Sequence, residues 1–153
     1  MARKLDMYPT RMPVSHCPLC SPTSESLLWS DVFCRVIWVD DASYPGFCRV
    51  ILNAHVKEMT DLPSDQRQRL MAVVFAVETA VLEIVQPDKI NLASLGNMVP
   101  HLHWHVIPRW RDDVNFPDAI WAPARRAVTP RALASDFMQQ LQARIQALLS
   151  LPE

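Results

Sequence analysis

Along the chain the apolar positions change their period several times. The run VFCRVIWV at 32–39 mixes β-branched and aromatic residues over a length suited to a strand, and GFCRVILNA at 46–54 repeats that composition after a turn at ASYPG. Residues 32 to 53 are therefore expected to form two antiparallel strands joined by a tight connection. From Ser64 to Gln86, Leu70, Val73, Val74, Val77, Val81 and Ile84 recur at helical spacing, and Pro87 marks the stop. INLASLGN at 90–97 and VPHLHWHVIPR at 99–109 supply two further strands about a turn at Gly96 and Asn97. WRDDVNFPDAIWAPARRAV, residues 110–128, has no period and reads as a long surface loop. Thr129 then offers an N-cap ahead of Pro130, and the stripe Leu133, Phe137, Leu141, Ile145 and Leu148 predicts an amphipathic helix over 130–150. Strand pair, helix, strand pair, helix is the order of an α+β fold with a mainly antiparallel sheet and two main helices. Residues 1–16 show no period and are expected to be a flexible N-terminal arm before a single domain at 17–153.

Composition narrows the function. A chain of 153 residues, half of them hydrophobic, holds one domain with a proper core. Fifteen basic against sixteen acidic residues leave a net charge of -1, so no broad positive field exists to hold a nucleic acid, and none is expected as a partner. No stretch approaches the roughly 20 apolar residues of a membrane span, and MARKLDMYPTRMP lacks the apolar core of a secretory signal. A soluble, cytoplasmic protein is the expectation. The two glycines, Gly46 and Gly96, both fall at predicted turns, which excludes a glycine-rich phosphate cradle. Cys34 and Cys48 sit within apolar runs and are expected as buried thiols, whereas Cys17 and Cys20 have metal or redox spacing.

Three of the five histidines occupy alternate positions in His101-Leu102-His103-Trp104-His105. On a strand, His101, His103 and His105 would share one face, while Leu102, Trp104 and Val106 pack on the other. A buried imidazole without partners costs about 1 to 3 kcal/mol, so three in register call for a reason. One is metal coordination by neutral imidazoles, although no obvious further ligand stands nearby in the sequence. The other is nucleophilic catalysis by one imidazole, with its neighbours managing orientation and charge.

The run His101 to Ile107 resembles the His-φ-His-φ-His-φ-φ signature, φ being apolar, of the histidine triad (HIT) superfamily of nucleotide hydrolases and transferases. Pro45-Gly46 opening a strand that ends at His55 is similar to that family's Pro-Gly-His strand, and the likeness runs from about Cys17 to Arg109. The resemblance implies that His103 attacks the α-phosphorus of a nucleotide conjugate and forms a covalent nucleotidyl-histidine, that His105 serves the phosphate oxygens or the departing group, and that His101 supports the site from its far end. The implied substrates are purine nucleotide conjugates, either nucleoside phosphoramidates or dinucleoside polyphosphates, and the implied assembly is a homodimer. Nucleotidyl transfer to another acceptor and non-catalytic nucleotide sensing are the alternatives. Where family members carry a hydroxyl residue ahead of the triad, this chain has Met98, which donates no hydrogen bond; Asn97 is the candidate replacement. Asn91 is the candidate phosphate-side asparagine, and Asp40 or Asp41 the candidate ribose contact or a solvated turn. Phe33 and Ile37 are candidates for a base pocket or for ordinary core packing. Arg109, Trp110 and Arg111 are read as a solvated basic rim, the alternative being contact with a polyphosphate beyond the triad.

Relatives with structural zinc bind it through a cysteine pair, the strand-end histidine and the first triad histidine. The resemblance thus implies a zinc set of Cys17, Cys20, His55 and His101, the alternative being an empty, reduced thiol pair; His16 is a spare ligand. The chemical step itself requires no metal.

Overall fold

The computed structural model describes residues 14–150. Five strands, β1 (Ser26–Ser30), β2 (Cys34–Trp38), β3 (Cys48–Leu52), β4 (Lys89–Ala93) and β5 (His103–Arg109), form one sheet in the order β1-β2-β3-β5-β4. Every neighbouring pair is antiparallel. Helix α1 (Ser64–Val85) connects β3 to β4, and α2 (Phe137–Leu149) packs on α1 and β1. The α+β architecture read from the sequence is the one observed. Most of the expected arm, residues 1–13, lies outside the described residues.

Alternation in the strands decides the layers. Cys34 and Val36 of β2 and Cys48, Val50 and Leu52 of β3 turn inward to meet Leu70, Val73, Val74, Val77 and Val81 of α1. Cys34 and Cys48 are fully buried, as expected, and burial pushes both thiols up to about 12. Helix α1 stops where Gln86 takes the left-handed conformation and Pro87 cannot continue the turn. Gly46 has φ +91, and a Cβ there would come within 2.6 Å of Val85, so the turn before β3 can lie against the helix end only without a side chain. Among the described residues no helix is long and apolar enough to cross a membrane.

Three expectations change. The strand β1 was not foreseen as an element of its own. It is separated from β2 by a turn in which the Asp31 carboxylate accepts the backbone N–H groups of Phe33 and Cys34, both at 2.8 Å. Helix α2 starts at Phe137, not at 130. Arg131 lies over the Trp110 ring at 4.3 Å and pairs with Asp112, and Leu133 packs against the core, so the 130–136 segment is drawn across the surface. Thr129 does not cap; its hydroxyl faces the Asp112 carbonyl. Finally, His101 precedes β5 instead of lying within it. Its N–H bonds the Val99 carbonyl, and Leu102 pairs with Val56 and Leu52, so the chain bends just before the strand begins.

Candidate functional site

The sheet face opposite the helices carries the chemistry. On β5 it presents His103, His105, Ile107 and Arg109; on β3, Arg49 stands opposite His105 and Ile51 opposite His103. His103 is buried and its Nδ1 lies 2.6 Å from the His101 carbonyl oxygen. A carbonyl only accepts, so Nδ1 carries the proton and Nε2 keeps its lone pair. Ser94 donates its hydroxyl to the His103 carbonyl at 2.8 Å and steadies the same strand end.

His105 is packed between three rings, His103 at 4.9 Å, Trp121 at 5.2 Å and Phe47 at 5.7 Å between centroids. Its buried Nδ1 has no hydrogen-bond partner among the described residues. Burial, then the neighbouring His103 and Arg49, lower its pKa to about 4. The pKa of His103 is lowered as well, chiefly by burial, with Arg49 adding to the effect and the His101 hydrogen bond opposing it. Both shifts favour the uncharged imidazole.

In front of them opens a cavity of about 450 Å³, lined by His103, His105, Arg49 and Asn97 and walled by Leu19, Leu95, Met98, Val99 and Trp121. Met98 stands at its lip, 96% exposed. A second recess holds Ile37, Val39 and Asp40, and Arg49 borders both. Thus Asn97 lines the histidine cavity, whereas Ile37 and Asp40 line the other recess, which shares Arg49 with it. Asp41 uses its carboxylate within its own turn, accepting the Ser43 N–H at 2.9 Å. Phe33 lies in the helix-side core. Asn91 accepts a hydrogen bond from Arg109 at 2.6 Å. Arg109 is no solvated rim residue: it is 2% exposed and bridges to Asp113, and Trp110 is buried beside it, while Arg111 is exposed. Arg49 and Trp121 were missed. The alternation Cys48-Arg49-Val50 could have placed Arg49 on the outward face, whereas nothing in the aperiodic loop marks Trp121.

At the far end of the triad, Cys17, Cys20, His55 and His101 bring four ligand atoms within 4.8 Å of one another. The His101 Nδ1 is 3.4 Å from both sulfurs, and the His55 Nδ1 is 3.2 Å from that of Cys20. His101 Nε2 lies 2.6 Å from the Leu52 carbonyl oxygen, which makes it the N–H donor and turns the Nδ1 lone pair toward the sulfurs. Two thiols and two imidazole nitrogens so arranged fit tetrahedral zinc. His16 is exposed and stands outside this group.

A family model described as HIT domain matches residues 23–112, more than half of the chain. The chain belongs to the HIT family. Its HIT match contains His55 and all three triad histidines but begins after Cys20 and ends before α2. Among solved structures, this HIT chain is similar to a histidine triad protein from Marinobacter aquaeolei VT8, at 29% identity and TM-score 0.63, over 82% of this chain and 88% of that one. A histidine triad protein from Bradyrhizobium japonicum is 28% identical with TM-score 0.63, over 80% and 90%. Curated relatives named AP-4-A phosphorylase, from two strains of Mycobacterium tuberculosis, are 29% identical over 106 residues, 63% of this chain and 54% of theirs. The chain spans about half the length of the curated relatives it matches.

Proposed function

We propose that this HIT-family protein cleaves purine nucleotide conjugates at the α-phosphate, with His103 as nucleophile and His105 and His101 in support. The observation that carries the reading is the 2.6 Å bond from His103 to the His101 carbonyl, which leaves an unprotonated Nε2 on a buried, uncharged ring. In the first step Nε2 bonds to the α-phosphorus while the bond from phosphorus to the leaving nitrogen or oxygen breaks. That atom departs with the electron pair and takes up a proton. Water then cleaves the phosphorus–nitrogen bond, releasing the nucleoside monophosphate and regenerating the imidazole. His105, neutral, offers a hydrogen bond to the phosphoryl oxygens or the departing group. The Ile37 and Asp40 recess is the proposed nucleoside side, and the cavity behind Asn97 the leaving-group side. The relatives named AP-4-A phosphorylase favour a second reading, transfer of the nucleotidyl group to an acceptor other than water.

Cys17, Cys20, His55 and His101 would hold a structural zinc, which when bound ties the 17–20 segment to the end of β3. Purified protein is then expected to contain about one zinc per chain by elemental analysis and to melt at lower temperature after chelation. A homodimer is the proposed assembly, checked by sedimentation.

The functional test measures AMP release from adenosine 5′-phosphoramidate and from diadenosine polyphosphates, beside intact mass of the quenched protein. Release and an acid-labile AMP adduct are expected, both lost in His103→Ala. Folded protein that binds AMP yet yields neither would sink the catalytic reading in favour of a sensor.

A further inference from the structure

We propose that Arg49 is a catalytic residue of this site, its guanidinium receiving the non-bridging oxygens of the phosphoryl group that His103 attacks. The proposal rests on the reading of His103 as nucleophile. Arg49 lies mid-strand in β3, directly across from His105, and side chains opposite one another on an antiparallel pair share a face. Its stem therefore runs out on the histidine side, and the residue borders both the histidine cavity and the Ile37 recess. With the nucleoside in the Ile37 recess and the leaving group in the histidine cavity, as proposed above, the phosphorus would lie where Arg49 borders both hollows.

Among the described residues no hydrogen bond or ion pair engages the guanidinium. Its buried Nε lacks a hydrogen-bond partner among the described residues. Arg35, Arg109 and Arg131 each hold a carboxylate. Among the described residues no carboxylate pairs with Arg49; burial is the influence on it, and it works against the charge. The Phe47 ring, 5.7 Å from the guanidinium carbon, is a partner for its face but satisfies none of its N–H donors. A half-buried cation left open in this way is costly to keep unless something anionic arrives to meet it.

The charge inventory of the cavity points to what arrives. Among the described residues lining it, Arg49 is the one arginine or lysine and no carboxylate stands beside it; the rest are apolar residues, Gly96, Asn97 and the two histidines. One planar fork of donors matches two oxygens of one phosphoryl group. It also makes good a deficit, because Met98 provides no donor at the lip. Charge shared over the equatorial oxygens as the nucleophile and leaving group exchange would be met by a fixed cation and by the His105 ring.

The test compares wild type, Arg49→Met and Arg49→Lys on adenosine 5′-phosphoramidate and on the two diastereomers in which sulfur replaces one or the other non-bridging oxygen. Arg49→Met is expected to lower kcat and the rate of AMP-adduct formation together by about 10²–10³-fold, the range for loss of one oxyanion donor, with KM moved by less than about tenfold. Arg49→Lys should recover part of the rate, and the wild-type preference between diastereomers should shrink in both variants, which a merely structural role would not produce. If Arg49→Met does not fold, the diastereomer preference of Arg49→Lys decides. An adduct in wild type with rate and preference unchanged in the variants overturns the role of Arg49 and leaves His103 standing. Absence of any adduct in wild type overturns the nucleophile and this role with it.

Discussion

Two arginines on the same sheet face, Arg109 on β5 and Arg49 on β3, are used in opposite ways. Arg109 spends its donors on the protein: Nε and Nη2 bond the Asp113 carboxylate at 2.7 and 3.1 Å, Nη2 also reaches the Asp118 carbonyl at 2.7 Å, and Nη1 reaches Asn91. Asp113 in turn accepts the backbone N–H groups of Trp110, Asn115 and Phe116. Nearby, Asn115 takes the Tyr44 hydroxyl and donates to the Ala122 carbonyl. The network fastens the root of the long loop after β5, whose further reach carries Trp121 over His105. Arg49 makes none of these bonds. A saturated buried cation holds structure, while an unsaturated one beside neutral imidazoles is available to a ligand.

The contrast breaks most visibly at Arg109. Arg109→Met strands the Asp113 carboxylate in the interior and should cost about 3–5 kcal/mol in urea unfolding, whereas Arg49→Met should stay within about 1 kcal/mol of wild type. Replacing both members of the pair, as Arg109→Met with Asp113→Leu, should recover part of the Arg109→Met loss, because no lone charge remains. A double mutant as unstable as the single one would show that the surrounding backbone N–H groups matter more than the pair. Acid sharpens the comparison further. Burial alone would raise the Asp113 pKa, but Arg109 and the N–H groups of Trp110 and Asn115 hold it below the usual carboxylate range. A carboxyl depressed on folding adds stability above its unfolded value of about 4, and that stability is lost as pH falls from there through the folded value. Unfolding free energy should thus decline with pH below about 4 in wild type and less steeply in Asp113→Asn. The smallest effect is expected at Trp121, half-exposed at the end of the fastened loop: Trp121→Ala should raise KM by roughly 2–10-fold through lost ring contact and leave the melting temperature nearly unchanged.

Much of the fold was readable from residue order because its core strands and α1 obey strict periods. Cys34, Val36, Cys48, Val50 and Leu52 alternate, and Leu70 to Val81 recur at helical spacing. Strand β1 defeats that signal: only Leu28 of its five residues is buried, and a bulge between Leu27 and Trp29 breaks the alternation. The start of α2 was misjudged because the Thr129-Pro130 signal is local, while the Arg131 contacts with Trp110 and Asp112 that override it join distant parts of the chain. At the site, the histidines were legible as a motif, and the two cysteines and two histidines named as candidate metal ligands lie together. Arg49 was passed over because the strand composition around it is that of a core strand; the alternation with Cys48 and Val50 gives its face, but only the register opposite His105 shows what it faces. The engagement of Asn91 with Arg109 could not be read either, since it depends on which strand lies beside which.

His101 carries a consequence for the history of this sequence. Its ring belongs to the cysteine cluster, yet its carbonyl is what fixes the proton on His103. Under the proposed zinc and catalytic roles, this one residue would answer to two demands that act on different atoms. A lineage that abandoned the cysteine pair would free the side chain at this position while still requiring the same peptide orientation. A lineage that abandoned catalysis would free the peptide and still require the imidazole. The peptide demand constrains the path of the backbone and not the residue type, so loss of the cysteine pair alone would open position 101 to other side chains, as long as they hold the same bend.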